Sequence, residues 1–106
     1  MTEAAADQDA LNRLCDRLRS ATEARLTRPD QGLGGASVAE VVHDAAVWAV
    51  ARQGLPHAVP RLHPLASGDQ LAVVGRDFLA WASGGPERHG DLAQWRVRID
   101  QLRVAV

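Results

Sequence analysis

The sequence contains no lysine and no tyrosine, one cysteine, one methionine and one phenylalanine. The single cysteine, Cys15, excludes an intramolecular disulfide and is typical of a protein in a reducing cytoplasm. No apolar run approaches the roughly 20 residues of a membrane-spanning helix, and the first residues lack the basic and apolar parts of a signal peptide. We therefore expect a cytoplasmic protein.

The missing residue types follow codon composition. Lysine, tyrosine, phenylalanine, isoleucine, asparagine and methionine have AT-rich codons and are absent or occur once, whereas alanine, glycine, arginine and proline are frequent. This pattern indicates a GC-rich bacterial genome. We attribute the use of arginine as the only strong base to that bias rather than to phosphate or carboxylate recognition, for which arginine is otherwise preferred.

Length and charge predict a small globular protein. The chain has 106 residues, 46% of them hydrophobic, and a formal net charge of −1. These values suit a single helical domain over residues 1–106 and exclude a disordered chain. A near-neutral charge also lacks the basic surface that binding to nucleic acid requires, so we do not expect a nucleic-acid partner.

Helical periodicity dominates the chain. Apolar residues recur at three- and four-residue spacing in four segments, which residues 28–36, 54–66 and 84–90 separate. The first segment runs from about Glu3 to Leu26. We therefore predict an all-α fold, a compact bundle of about four helices.

The carboxy-terminal segment allows a second interpretation. "RVRIDQLRVAV" also alternates in two short phases, as a strand with a bulge or a small hairpin would. We favour a helix because Asp91 and Gln94 are placed to cap its start.

Local signals mark the ends of the central helices. Ser37 and Glu40 in "SVAE", and Ser67 and Gln70 in "SGDQ", have the spacing of capping boxes at helix starts. Gly54 is placed as the left-handed residue that ends the second helix.

The apolar stripes predict which side chains form the core. Gly75 interrupts the third helix, and we expect close approach of another helix to explain it. The predicted core residues are Leu14, Leu18, Val41, Trp48, Leu71, Val74, Phe78 and Trp95.

The stretch "LPHAVPRLHP" raises the question of a metal site. Zinc ligands usually occur as close pairs, whereas His57 and His63 are six residues apart across a proline. We interpret the stretch as a semi-rigid connector and the two histidines as weak metal candidates at most. We expect no bound metal and no cofactor.

No catalytic motif appears in the sequence. Cys15 lies on the apolar stripe of the first helix, where a thiol behaves as an inert hydrophobic group. "GLGG" lies between helices without a preceding strand, so it does not have the context of a phosphate-binding loop. We do not expect an enzyme.

One segment resembles a family of DNA-binding regulators. "GASVAEVVHDAAVWAVARQG" is similar to the second helix of ribbon-helix-helix proteins, which implies binding to DNA as an alternative function. That family reads DNA with an amino-terminal strand, whereas residues 1–10 here are rich in alanine and aspartate, and the loop before the helix is longer. A helical protein that binds a small molecule or a metal is a further alternative.

The leading functional interpretation comes from "AAVWAVA", residues 45–51. A helix that is apolar on every side is buried on every side, and a chain this short has little core to surround it. Either the proline-rich connector or a second subunit covers the face that carries Val47 and Val50. We expect an interaction or assembly module that forms a homodimer through Ala46, Val47 and Val50, with an unidentified protein as a possible further partner.

Overall fold

Five α-helices form the regular structure of residues 2–106, which the computed structural model describes. Three single 3-10 turns, at Gln31–Leu33, Pro64–Ala66 and Pro86–Arg88, lie between them. The prediction of an all-α fold is confirmed, with one helix more than the expected four. The helices are α1 (Glu3–Ser20), α2 (Glu23–Thr27), α3 (Val38–Arg52), α4 (Ser67–Ala82) and α5 (His89–Ala105).

The additional helix arises because the predicted first helix is broken. Ala21 is extended, with φ −77° and ψ 147°, and Thr22 begins a new helix by accepting a hydrogen bond from the Arg25 amide at 3.2 Å. A hydroxyl two residues after the end of α1 thus caps the start of a new helix. Leu26 still reaches the core after the break and is fully buried.

The carboxy-terminal segment is a helix, and the alternative of a strand is wrong. α5 buries Trp95, Ile99 and Leu102, which keep the helical spacing. The alternating pattern would instead have placed Val97 on the buried face with Ile99, and Val104 with Leu102. Both valines are exposed. The apolar residues at three- and four-residue spacing are therefore the ones that are buried, as in a helix.

The predicted cap of this helix is also wrong. α5 begins at His89, directly after the 3-10 turn Pro86–Arg88, and has no side-chain cap. Asp91 instead lies in the first turn and pairs with Arg52 of α3 at 2.8 Å. The helix thus begins three residues earlier than a cap at Asp91 would allow, after a turn that Pro86 preorganises.

The ends of α3 are as predicted. The Ser37 hydroxyl accepts from the Glu40 amide at 3.2 Å and caps the start. Gly54 has φ +69°, and the Leu55 amide donates to the Val50 carbonyl at 3.3 Å, as in a Schellman ending.

The capping box predicted at the start of α4 does not form. Ser67 lies inside the helix, and its hydroxyl donates to the Pro64 carbonyl at 2.6 Å. Gln70 turns away and donates from Nε2 to the Pro60 carbonyl at 2.9 Å. Pro60 of the connector and Pro64 of the 3-10 turn supply these carbonyl acceptors, and bonding to them replaces the predicted capping bonds.

The four long helices enclose one core. α4 packs against α1 and α3, and α5 packs against the same two helices. Of the predicted core residues, Leu14, Leu18, Leu71, Phe78 and Trp95 are buried, and Val41, Trp48 and Val74 are partly buried against them. Across residues 2–106, no helix combines the length and apolar character of a bilayer-spanning segment.

Phe78 lies at the aromatic centre of this core. Its ring centroid is 4.9 Å from that of Trp95, 5.3 Å from Trp48 and 5.8 Å from Trp81. The guanidinium of Arg98 lies 4.2 Å from the ring centroid of Trp48, and that of Arg88 lies 4.4 Å from Trp81. The two half-buried tryptophans are thus closed off from solvent by cation–π contacts.

The helix α1 occupies the place where the ribbon-helix-helix resemblance requires a strand. Glu3–Ser20 is helical, and residues 2–106 contain no strand. The resemblance is therefore limited to α3, and the architecture is not that of the DNA-binding family.

Glycines allow α4 to approach α1 closely. A Cβ atom on Gly75 would lie 2.7 Å from a methyl carbon of Leu11 and 3.0 Å from a ring carbon of Trp95. A Cβ atom on Gly68 would lie 2.9 Å from the Cys15 carbonyl oxygen. The close approach predicted for Gly75 is confirmed, and Gly68 extends it by two turns.

We predict that Gly68→Ala destabilises the protein while Gly90→Ala does not. Both glycines are the second residue of their helix, so the effect of alanine on helix propensity should be similar. Gly90 has open space at its Cβ position, whereas Gly68 faces a backbone carbonyl that cannot move independently of α1. Urea denaturation followed by tryptophan fluorescence should show Gly68→Ala about 1–3 kcal/mol less stable than Gly90→Ala. Equal midpoints would contradict the close approach.

Candidate functional site

The proline-rich connector runs over the surface from α3 to α4 and borders two hollows. It leaves α3 at Gly54 and has no regular structure until the 3-10 turn Pro64–Ala66. The bond from the Gln70 side chain to the Pro60 carbonyl attaches its middle to α4. Leu62 and Gln70 line both hollows, so the connector separates one from the other.

The first hollow, here called the Val50 groove, is apolar and has a volume of about 360 Å³. Val59 and Leu62 of the connector form one wall, and Val73 and Val74 of α4 form the other. Val50 is only 7% exposed at its base, whereas Val73 is 60% exposed and Leu62 49%. The groove is therefore a patch of aliphatic surface that the rest of residues 2–106 leaves open.

The predicted interface residues differ in exposure. Ala46 is fully buried and Val50 nearly so, because α3 is enclosed by its neighbouring helices and the connector passes close to Val50. Val47 is 44% exposed and lies three residues before Val50, hence on the same side of α3. Within the predicted set, Val47 provides the accessible surface beside the groove.

The second hollow, here called the polar cavity, has a volume of about 260 Å³. The first turns of α3 and α4 and the end of the connector surround it. Its polar lining includes Ser37, Glu40, His43, Arg61, His63 and Ser67.

The two histidines of the connector do not come together in one site. His57 lines the Val50 groove and His63 lines the polar cavity. Nδ1 of His63 accepts from the Leu65 amide at 3.2 Å, and Nε2 lies 3.6 Å from a carboxylate oxygen of Glu23. Both ring nitrogens are thus occupied by structural partners. Among residues 2–106, no group of three or more His, Cys, Asp or Glu side chains is arranged to hold a metal ion.

His43 was not predicted as a site residue, and it carries the most unusual polar atom of the molecule. Nδ1 of His43 is buried and has no hydrogen-bond partner among residues 2–106. Its sequence position next to Asp44 gives no sign of this. Outside α3, the residues that line the cavity with His43 come from α2, α4 and the connector, which are distant from it in the sequence.

Cys15 is an inert core residue, as its place on the apolar stripe predicts. It is a free thiol, 1% exposed. Burial away from water raises the pKa of the Cys15 thiol to about 11, against a lowering effect of the nearby Arg19 charge. A neutral thiol is a poor nucleophile, so it offers no chemistry at physiological pH.

Comparison of the chain with protein-family models, with curated proteins and with solved structures finds no match in any of the three. The function is therefore argued from the groove and the cavity.

We predict that stability falls between about pH 9 and pH 11 and that Cys15→Ala abolishes this fall. The pKa of Cys15 is about 11 in the folded protein, against an ordinary value of 9.0. Between these values the unfolded chain releases the thiol proton and the folded chain keeps it. The stabilisation is complete below pH 9 and is lost as the pH rises through about 11.

The composition makes this measurement specific. Because the chain has no lysine and no tyrosine, Cys15 is the only side chain that titrates between histidine and arginine. Urea midpoints at about pH 8 and about pH 11 should differ for the wild type and agree for Cys15→Ala. A wild-type midpoint as constant as that of the variant would refute the assignment.

Proposed function

We propose that this chain is a small helical interaction module that forms a homodimer through the Val50 groove and the adjacent Val47. The observation that supports the proposal is the open aliphatic surface of this groove, where Val73 and Leu62 are half exposed or more. Contiguous apolar surface of this kind is typical of interaction sites.

A second copy of the chain suits this surface because the surface contains both an exposed side chain, Val47, and the Val50 groove. In a two-fold dimer the same surface of each subunit meets its copy, so it has to be complementary to itself. Val47 is exposed and lies about one helical turn before Val50, which lines the groove. A two-fold axis near Val47 would let each subunit insert this side chain into the groove of the other.

Charge does not oppose this association. The net charge of −1 means that two copies repel each other weakly. A cytoplasmic location belongs to the same proposal, supported by the buried free thiol of Cys15.

We predict that Val73→Asp converts the dimer to a folded monomer and that Val104→Asp does not. Val73 is 60% exposed in the groove, so a carboxylate there leaves the core intact but puts two like charges into the interface. Val104 is 78% exposed on α5 and lines a different hollow, beside Arg25 and Asp100. It is the matched control for adding the same charge elsewhere.

Light scattering at about 100 µM, where an interface of micromolar affinity is filled, measures the outcome. The wild type and Val104→Asp should have twice the mass of Val73→Asp, with circular dichroism unchanged in all three. A monomeric wild type at this concentration would end the proposal. A dimeric Val73→Asp would place the interface elsewhere, and dissociation by both variants alike would show a general effect of added charge.

A further inference from the structure

The buried polar groups of this molecule lie around the polar cavity. Among residues 2–106, Ser37 and Ser67 are the buried polar residues, at 4% and 6% exposure, and both line this cavity. The one buried side-chain nitrogen or oxygen without a hydrogen-bond partner in these residues, Nδ1 of His43, belongs to the same lining. The starts of α3 and α4 thus place their buried polar groups around one small space.

Most of the lining is held in place by bonds within the protein. The Ser37 hydroxyl bonds to Glu40, the Ser67 hydroxyl donates to the Pro64 carbonyl, and the His63 ring accepts from the Leu65 amide. These bonds fix the walls without using the space between them. A preorganised polar recess of this kind is what a small ligand needs.

Two lining groups have no partner within the protein. The His43 ring makes no hydrogen bond within residues 2–106, and its Nδ1 is buried without a partner, which costs free energy. Arg61 makes no ion pair and no side-chain hydrogen bond with residues 2–106. Its guanidinium presents five donors in a planar fork, the geometry that matches a carboxylate or a phosphate.

The backbone adds to the preference for negative charge. The first turns of α3 and α4 both border the cavity, and the amino end of a helix carries a partial positive charge. Glu40 is the lining carboxylate, and it already accepts a hydrogen bond from the Ser37 hydroxyl at 3.2 Å. A second carboxylate, that of Glu23, lies 3.6 Å from the lining His63, so both nearby carboxylates face groups of the protein while the Arg61 guanidinium makes no ion pair within residues 2–106.

We propose that the polar cavity binds a small organic oxyanion, a molecule with a carboxylate or phosphate group that Arg61 grips and a second polar group that bonds to His43. The volume of about 260 Å³ is below the range of drug-sized sites, so the ligand is small. The site is separate from the groove proposed for dimerisation and stands without it.

The experiment titrates the wild-type protein with inorganic phosphate, with citrate and with the neutral molecule glycerol. Backbone amide shifts in nitrogen-15 spectra measure binding, up to about 10 mM, where a site of millimolar affinity is filled. We expect phosphate or citrate to shift the amides of residues 37–43 and 67–70, and glycerol to leave them unchanged. The tighter of the two anions identifies the group that the site prefers.

Arg61→Gln and Arg76→Gln form the matched pair of variants. Both arginines are exposed, and Arg76, on α4, lacks ion pairs within residues 2–106 in the same way but does not line the cavity. Arg61→Gln should weaken anion binding about tenfold or more, the value expected for a charged hydrogen bond, while Arg76→Gln retains wild-type affinity. Because both residues are exposed, both variants should fold.

Two results would overturn the proposal. The absence of amide shifts with both anions at about 10 mM would show that the cavity binds no oxyanion of this kind. An equal loss of affinity in the two arginine variants would show general attraction to a positive surface instead of a site.

Discussion

The close approach of α1 and α4 is the constraint on which the rest of the structure depends. Gly68 and Gly75 remove the side chains that would hold the two helices apart, and Leu11 and Trp95 fill the space at Gly75. Trp95 in turn stacks on Phe78 at 4.9 Å, which brings the centre of α4 against α5. A core of this size has few alternative packings once its largest side chains are placed, because interiors are filled at close to crystal density.

The position of α4 also determines the course of the connector. From Gly54, where α3 ends, the connector reaches α4 at Pro60, and its Arg61–Pro64 part lies against the first turn of α3. Its prolines supply carbonyl acceptors but no amide donors, so the connector cannot pair as a strand or a helix. Side chains of α4 donate to its carbonyls instead. A segment that cannot form regular structure thus becomes the shared wall of two hollows.

The sequence predicted what depends on periodicity and failed where the fold offers a capping side chain a competing partner. Burial of Trp95 and Phe78 follows from three-four spacing, and the Ser37 cap uses atoms three residues apart. Ser67 has the same local pattern as Ser37, yet its hydroxyl finds the Pro64 carbonyl first. Asp91 likewise pairs with Arg52, a residue of another helix. A local sequence pattern predicts a helix cap only where the fold offers the capping side chain no competing hydrogen-bond or ion-pair partner.

The candidate sites were harder to predict because they consist of contacts between segments. Periodicity predicted that Val47 and Val50 lie together off the main stripe of α3, but Val50 is buried and Val47 is exposed. His57 and His63 were candidate metal ligands because they are close in sequence. Closeness in sequence across a proline does not bring their ring nitrogens together. His43 lines the same cavity as Arg61, about twenty residues later, and its buried Nδ1 has no partner within residues 2–106. A polar atom without a partner becomes visible only after every bond within the fold has been assigned.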